Sequence, residues 1–224
     1  MESSHRLPLV AAYAVAMAYV EAAVVAYLRE VYGIEDVLRD LPAAADHITL
    51  IEVGRETATL IMLLVLGWLA GRCRQERAGY CAFAFGLWDI AYYAWLELFL
   101  GWPRSLLDWD LLFLIPVPWW APVLAPTLLA ATICLCGAAA VLQVDRGTVW
   151  RLTAANVSVA TAGLALVLYT FTADALWALP QGIDAVARVR PIHFRWPLFL
   201  LGFVMILWAG LRVTWPGRSR LLRI

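Results

Sequence analysis

Glu52, Arg55 and Glu56 stand at i, i+3 and i+4 in a run that is otherwise almost wholly apolar. Asp89, Tyr92 and Tyr93 repeat that spacing in a second apolar run, and Glu21 stands alone in a third. Side chains three and four apart share one face of a helix, so each triplet points its polar groups in one direction. Carboxyls can hold or release a proton, and an arginine can orient a carboxylate or steady developing negative charge. Together they are equipment for general acid–base chemistry. Trp88, Tyr92, Tyr93 and Trp95 would line an apolar pocket, and their rings would stabilise a cationic intermediate. Asp110, Trp119 and Trp120 flank a proline-rich break and are candidates for the same pocket.

The elements that must position these groups are membrane spans. Of the 224 residues 63% are apolar and 15% charged, where a soluble domain carries about 45–50% and 25%. The excess falls in six runs, residues 7–28, 48–70, 78–100, 121–142, 152–176 and 196–213. Each approaches the ~20 residues that cross a hydrocarbon core of about 30 Å. The expected fold is all-α: a polytopic membrane bundle of about six transmembrane helices in one integral-membrane domain over residues 1–224, with short amphipathic helices on the outer face.

Helix rise places the polar groups in depth. Glu21 lies about 21 Å above the inner edge of its span, Glu52, Arg55 and Glu56 roughly 6 to 12 Å below the outer edge, and Asp89 near the midplane. Three helices therefore bring ionisable groups to nearly one layer. Each charge facing lipid costs about 2.5–3.5 kcal/mol, so the groups must face the bundle interior. Four acids, Glu21, Glu52, Glu56 and Asp89, then meet Arg55 alone. Like charges in a low dielectric oppose one another, so at least one acid is expected to hold a proton, or a cation to be bound.

Orientation follows the arginines, since all 17 basic residues are arginine. Arg6, Arg72, Arg74, Arg77, Arg146, Arg151, Arg212, Arg218, Arg220 and Arg223 fall on one side; Arg29, Arg39, Arg104, Arg188, Arg190 and Arg195 fall on the other. The richer side is the cytoplasmic one, which puts both termini inside an inner membrane. The inner connections are short and the outer ones long, so the working face is read as periplasmic. Ile34, Val37, Leu38 and Leu41 have amphipathic spacing, and Ser105 with Asp108 matches a capping box that opens a second short helix. Ile183, Val186 and Val189 suggest a third. Pro116 and Pro118 forbid a regular helix between them, and the irregular segment is expected to form cavity wall.

Plainer readings stand beside these. Thr49 and Glu52 also fit a capping box, Arg55 with Glu21 and Glu56 also fits an interhelical ion pair, and the aromatics also fit core and interface belts. Asp108 reads as a cap, and Asp174 and Glu97 as solvated. Of Cys73, Cys81, Cys134 and Cys136 the last three sit in apolar segments, without a recognised metal or redox spacing, and read as small buried side chains. His47 and His193 lie outside the spans, which discounts a bis-histidine haem. No cofactor is identified. A divalent metal on the carboxylates stays open, without the helical Glu-x-x-His pairs of di-iron proteins. A formal net charge of zero gives no footprint for nucleic acid.

The partners expected are the lipid bilayer and an apolar or lipidic small molecule; oligomeric state is left open. Three functions fit. The first is an enzyme performing isomerisation, cyclisation or hydrolysis on a lipidic or isoprenoid-like substrate. The second is a proton- or cation-coupled small transporter, which the lack of an internal repeat disfavours. The third is a non-catalytic subunit of a membrane complex.

Overall fold

The computed structural model describes residues 3–40, 47–150 and 152–214. Its long helices are α1 (Leu7–Tyr32), α3 (His47–Ala70), α4 (Arg74–Leu100), α5 (Leu124–Asp145), α6 (Ala154–Ala178) and α8 (Trp196–Thr214). Short helices α2 (Val37–Asp40) and α7 (Ile183–Ala187) lie in the connections at the end of the bundle opposite Arg6 and Thr214, the outer end. Five of the long helices, α1, α4, α5, α6 and α8, are long and apolar enough to cross a membrane, and no more than 33% of any such apolar window is buried within the chain. The remaining apolar surface therefore has lipid as its natural neighbour, and the chain is a multi-pass membrane protein. α3 has the length, but Glu52, Arg55 and Glu56 crowd its first turns.

Close backbone approach organises the bundle. α4 packs along α5, with α1 and α3 on its other sides, while α6 pairs with α8 and α8 touches α5. A β-carbon on Gly86 would collide with the Ala130 carbonyl, and one on Gly137 with the Phe83 amide, so these glycines let α4 and α5 meet. Gly163 and Gly202 do the same for α6 and α8. Small residues at such seams are the usual substitute for a hydrophobic driving force inside lipid. Val10, Ala14, Ala18, Leu63, Tyr80, Ala84 and Val141 fill the core between α1, α3, α4 and α5.

One expectation for the outer face is corrected. Ser105 and Asp108 do not open a helix. The Asp108 carboxylate accepts the backbone N–H groups of Arg104 at 2.8 Å and Ser105 at 3.2 Å, closing a turn. Strand β1 (Trp109–Phe113) follows and pairs antiparallel with β2 (Trp119–Pro122), with an irregularity between Leu111 and Phe113. An aromatic and aliphatic segment facing a proline-broken turn is better served by a hairpin than by a helix. The bundle therefore carries one two-stranded sheet, and α5 begins at Leu124, after β2, rather than at Ala121. The amphipathic helix expected after Ile34 is present as α2, and the Asp40 carboxylate accepts the N–H groups of Glu35 and Asp36 at its N-terminal end. Leu41 lies outside the described residues. α7 forms within the third expected segment, burying Val186 and exposing Ile183.

Candidate active site

A cavity of about 620 Å³ opens at the outer end of the bundle. Its lining comes from the outer halves of α1, α3, α4, α5 and α6, from the hairpin, and from the segment around α7. The deepest lining residues include Glu21, Thr59, Phe85, Ile133 and Leu164. Below them Gly79 and Gly137 bring α4 and α5 into close contact. The volume falls within the ~300–1,000 Å³ typical of small-molecule sites.

Glu21, Glu52, Arg55, Glu56, Asp89, Asp110, Tyr92, Tyr93, Trp88, Trp119 and Trp120 all line this one cavity. Trp95 does not. Its indole donates to the Val15 carbonyl at 3.1 Å and packs against Tyr19 and Phe99, so it joins α1 to α4. His47 and His193 are exposed and outside the lining. Asp174, expected to be solvated, instead takes a two-pronged bond from Arg195 at 2.8 and 3.2 Å. That hydrogen bond pushes the Arg195 guanidinium up from its ordinary range.

Sequence reasoning missed Arg29, Arg190 and Thr59. Arg29 is buried and lies 4.0 Å from the ring centroid of Trp102. Arg190 donates to the carbonyls of Ala187 and Val189 at 3.0 and 2.8 Å. Both arginines were counted as loop charges, yet both line the cavity. The balance of four acids against one base thus becomes five acids (with Asp110) against three arginines, a formal surplus of two negative charges if all are ionised. A signal for Arg29 existed. Glu21, Val25, Leu28, Arg29 and Tyr32 form one stripe at i, i+4, i+7, i+8 and i+11, and all five line the cavity.

The acids differ in how they are held. Glu21, 6% exposed, accepts the Thr59 hydroxyl and pairs with Arg55. Arg55 also reaches Glu52 through Nε at 2.8 Å, so one guanidinium clamps α1 to α3. Glu56 accepts the Leu114 N–H on both oxygens, at 3.1 and 3.0 Å, and so fixes the hairpin to α3. Asp110 accepts the Tyr93 hydroxyl at 3.0 Å. Burial pushes its carboxyl up from the usual range, against the lowering pull of Arg29 and of its hydrogen bonds. Asp89 has no hydrogen-bond or ion-pair partner among the described residues, and neither does the Tyr92 hydroxyl one turn away. Among the described residues no group of three or more histidines, cysteines or acids is disposed to hold a metal ion.

Three further polar groups lack partners. The indole N–H groups of Trp88, Trp119 and Trp120 are buried with no acceptor among the described residues, and Trp88 and Trp120 are only 7% and 3% exposed. Native structures pair nearly all such donors. Comparisons with protein-family models, with curated proteins and with solved structures return no match. Fold and site together describe a multi-pass membrane bundle with a carboxyl-rich cavity at one end.

Proposed function

We propose that this chain is a membrane-embedded enzyme that performs acid–base chemistry on a lipidic substrate, with Asp89 as the group that moves the proton. The observation that carries the reading is the contrast among the acids. Glu21, Glu52, Glu56 and Asp110 are engaged by Arg55, Thr59, Leu114 or Tyr93, whereas the Asp89 carboxyl faces the cavity unengaged beside the Tyr92 hydroxyl. A carboxyl in that setting can take a proton from one substrate carbon and return it to another, the step that isomerisation and cyclisation share. Hydrolysis would use the same group to activate a water molecule. Arg55, with Glu21 and Glu52 both on its guanidinium, acts as a positioning residue that sets α3 against α1.

In this reading six helices span an inner membrane, α3 included, with both termini cytoplasmic and the cavity open toward the outer leaflet. The arginine distribution supports that orientation. The α4–α5 seam below the cavity works against a carrier, which needs a polar path onward. An unengaged Asp89 works against a purely structural ion cluster.

The test is turnover. The purified chain in nanodiscs is given a total lipid extract of its own host membrane, and the lipids are followed in time by chromatography that separates isomers, coupled to mass spectrometry. The parent protein should convert at least one lipid species. Asp89→Asn should slow that conversion by about 10²–10⁴-fold, and Asp89→Glu should recover part of it. Conversion by Asp89→Asn at the parent rate, or no conversion by the parent, overturns the proposal.

A further inference from the structure

The cavity has two unlike walls. One carries the carboxyls and arginines of α1, α3, α4 and the hairpin. The other, between α5 and α6, is wholly apolar: Leu129, Ala130 and Ile133 face Leu164, Val167 and Phe171. Leu164 is 49% exposed, so this slot reaches the lipid-facing surface of the bundle. Between the walls stand the unpartnered indoles of Trp88, Trp119 and Trp120. A ligand that satisfies this site needs an apolar chain for the slot and hydrogen-bond acceptors for the indoles.

The charges decide what kind of acceptor. An anionic head would meet the indole donors but also face five carboxyls against three arginines. A cationic head would suit the carboxyls and leave three buried donors unmet, each a desolvation loss that goes uncompensated. An uncharged carbonyl head meets both conditions, because its oxygens accept the N–H groups and it brings no charge. We infer that the cavity binds a neutral lipid whose polar end carries carbonyl oxygens. Those oxygens are taken by Trp88, Trp119 and Trp120, and the chain lies between α5 and α6. An ester, a long-chain ketone and a quinone share this chemistry. The inference names the substrate class for the enzyme proposed above and rests on that reading only for turnover, not for binding.

The experiment uses the full chain in detergent micelles and four probes of equal chain length: a long-chain methyl ketone, the corresponding fatty acid, the corresponding primary amine and the matched alkane. Binding is read by native mass spectrometry and by the shift in melting temperature. The ketone should bind at least tenfold more tightly than either charged probe. Trp88→Phe and Trp120→Phe should each weaken ketone binding by roughly 2- to 12-fold, the value of one hydrogen bond. Should a tryptophan variant fail to fold, Leu164→Trp, which narrows the slot from the lipid side, should weaken binding of the ketone while leaving the indoles in place. A matched alkane binding as tightly as the ketone, or the fatty acid or amine binding most tightly, overturns the inference. Asp89→Asn separates the two proposals. It should keep the ketone and lose turnover, so a chain that binds the ketone yet converts no lipid defeats the enzyme reading and leaves this one standing.

Discussion

The two ends of the bundle are built on opposite plans from the same helices. At the inner end the connections are short and side chains bond directly to backbone. Gln75 donates to the carbonyls of Ala140 and Thr148 and accepts the Trp150 N–H, while Arg6 caps the Ala70 carbonyl. The buried carboxylate of Glu76 accepts the Arg72 N–H at 2.6 Å. Glycines draw α4 and α5 into contact. At the outer end the helices diverge, a β-hairpin enters between them, and the polar groups line a cavity rather than a seam. Closure at one end allows the other to stay open. A chain that buries little of its apolar surface internally must fix its helices somewhere, and here the Gly79–Gly137 seam does so below the cavity while the Arg55 clamp holds α1 to α3 within it.

The contrast is broken most severely at Arg55, where one guanidinium holds both Glu21 and Glu52. Arg55→Met leaves Glu21 and Glu52 without their cationic partner, with Thr59 still bonded to Glu21. Loss of one member of a buried pair costs about 3–5 kcal/mol, and partial exposure of Arg55 should bring the effect to the lower end of that range. Thermal unfolding of purified protein, followed by near-ultraviolet dichroism, checks this, and adding Glu21→Gln should restore part of the loss. At the inner end, Gly137→Ala should cost about 1–3 kcal/mol, because the methyl group meets the Phe83 amide. The same unfolding assay should show a smaller cost for Leu129→Ala. Its side chain faces the cavity, so its removal should fall below the ~2 kcal/mol at which buried leucines begin.

Asp110 supplies a finer test. Its carboxyl is held above the ordinary range by burial, so the folded protein keeps a proton there that the unfolded chain releases near pH ~4. The stability tied to that proton is present at low pH and is lost as pH rises from about 4 through the raised value. The melting temperature of the parent should therefore fall over this interval more than that of Asp110→Asn. The smallest effect belongs to Asp89→Asn. With no partner to lose, it should leave the melting temperature no lower than that of the parent while removing turnover.

Much of the site was legible because hydrocarbon is an unforgiving solvent. Glu52, Arg55 and Glu56 could be assigned inward from spacing alone, and so could Asp89, Tyr92 and Tyr93, since the alternative was charge in lipid. Where water competes, the sequence speaks less clearly. Ser105 and Asp108 have the spacing of a capping box, but Asp108 caps the chain behind it and a strand follows. Trp88 and Trp95 lie seven apart on one helix face, yet only Trp88 reaches the cavity, because Tyr19 and Phe99 take up Trp95. Arg190 gave no local signal, since its position in the cavity depends on how the α7 segment folds over the bundle.

The central claim is that Asp89 lies in a cavity entered from the outer side and floored by the α4–α5 seam. It is tested most directly by side-specific labelling of Asp89→Cys, with the four native cysteines replaced and the protein oriented in sealed vesicles. A small, charged methanethiosulfonate reagent should label this position when applied from the outer face and not when applied from the inner face. Labelling from the inner face, or from neither, would contradict the account.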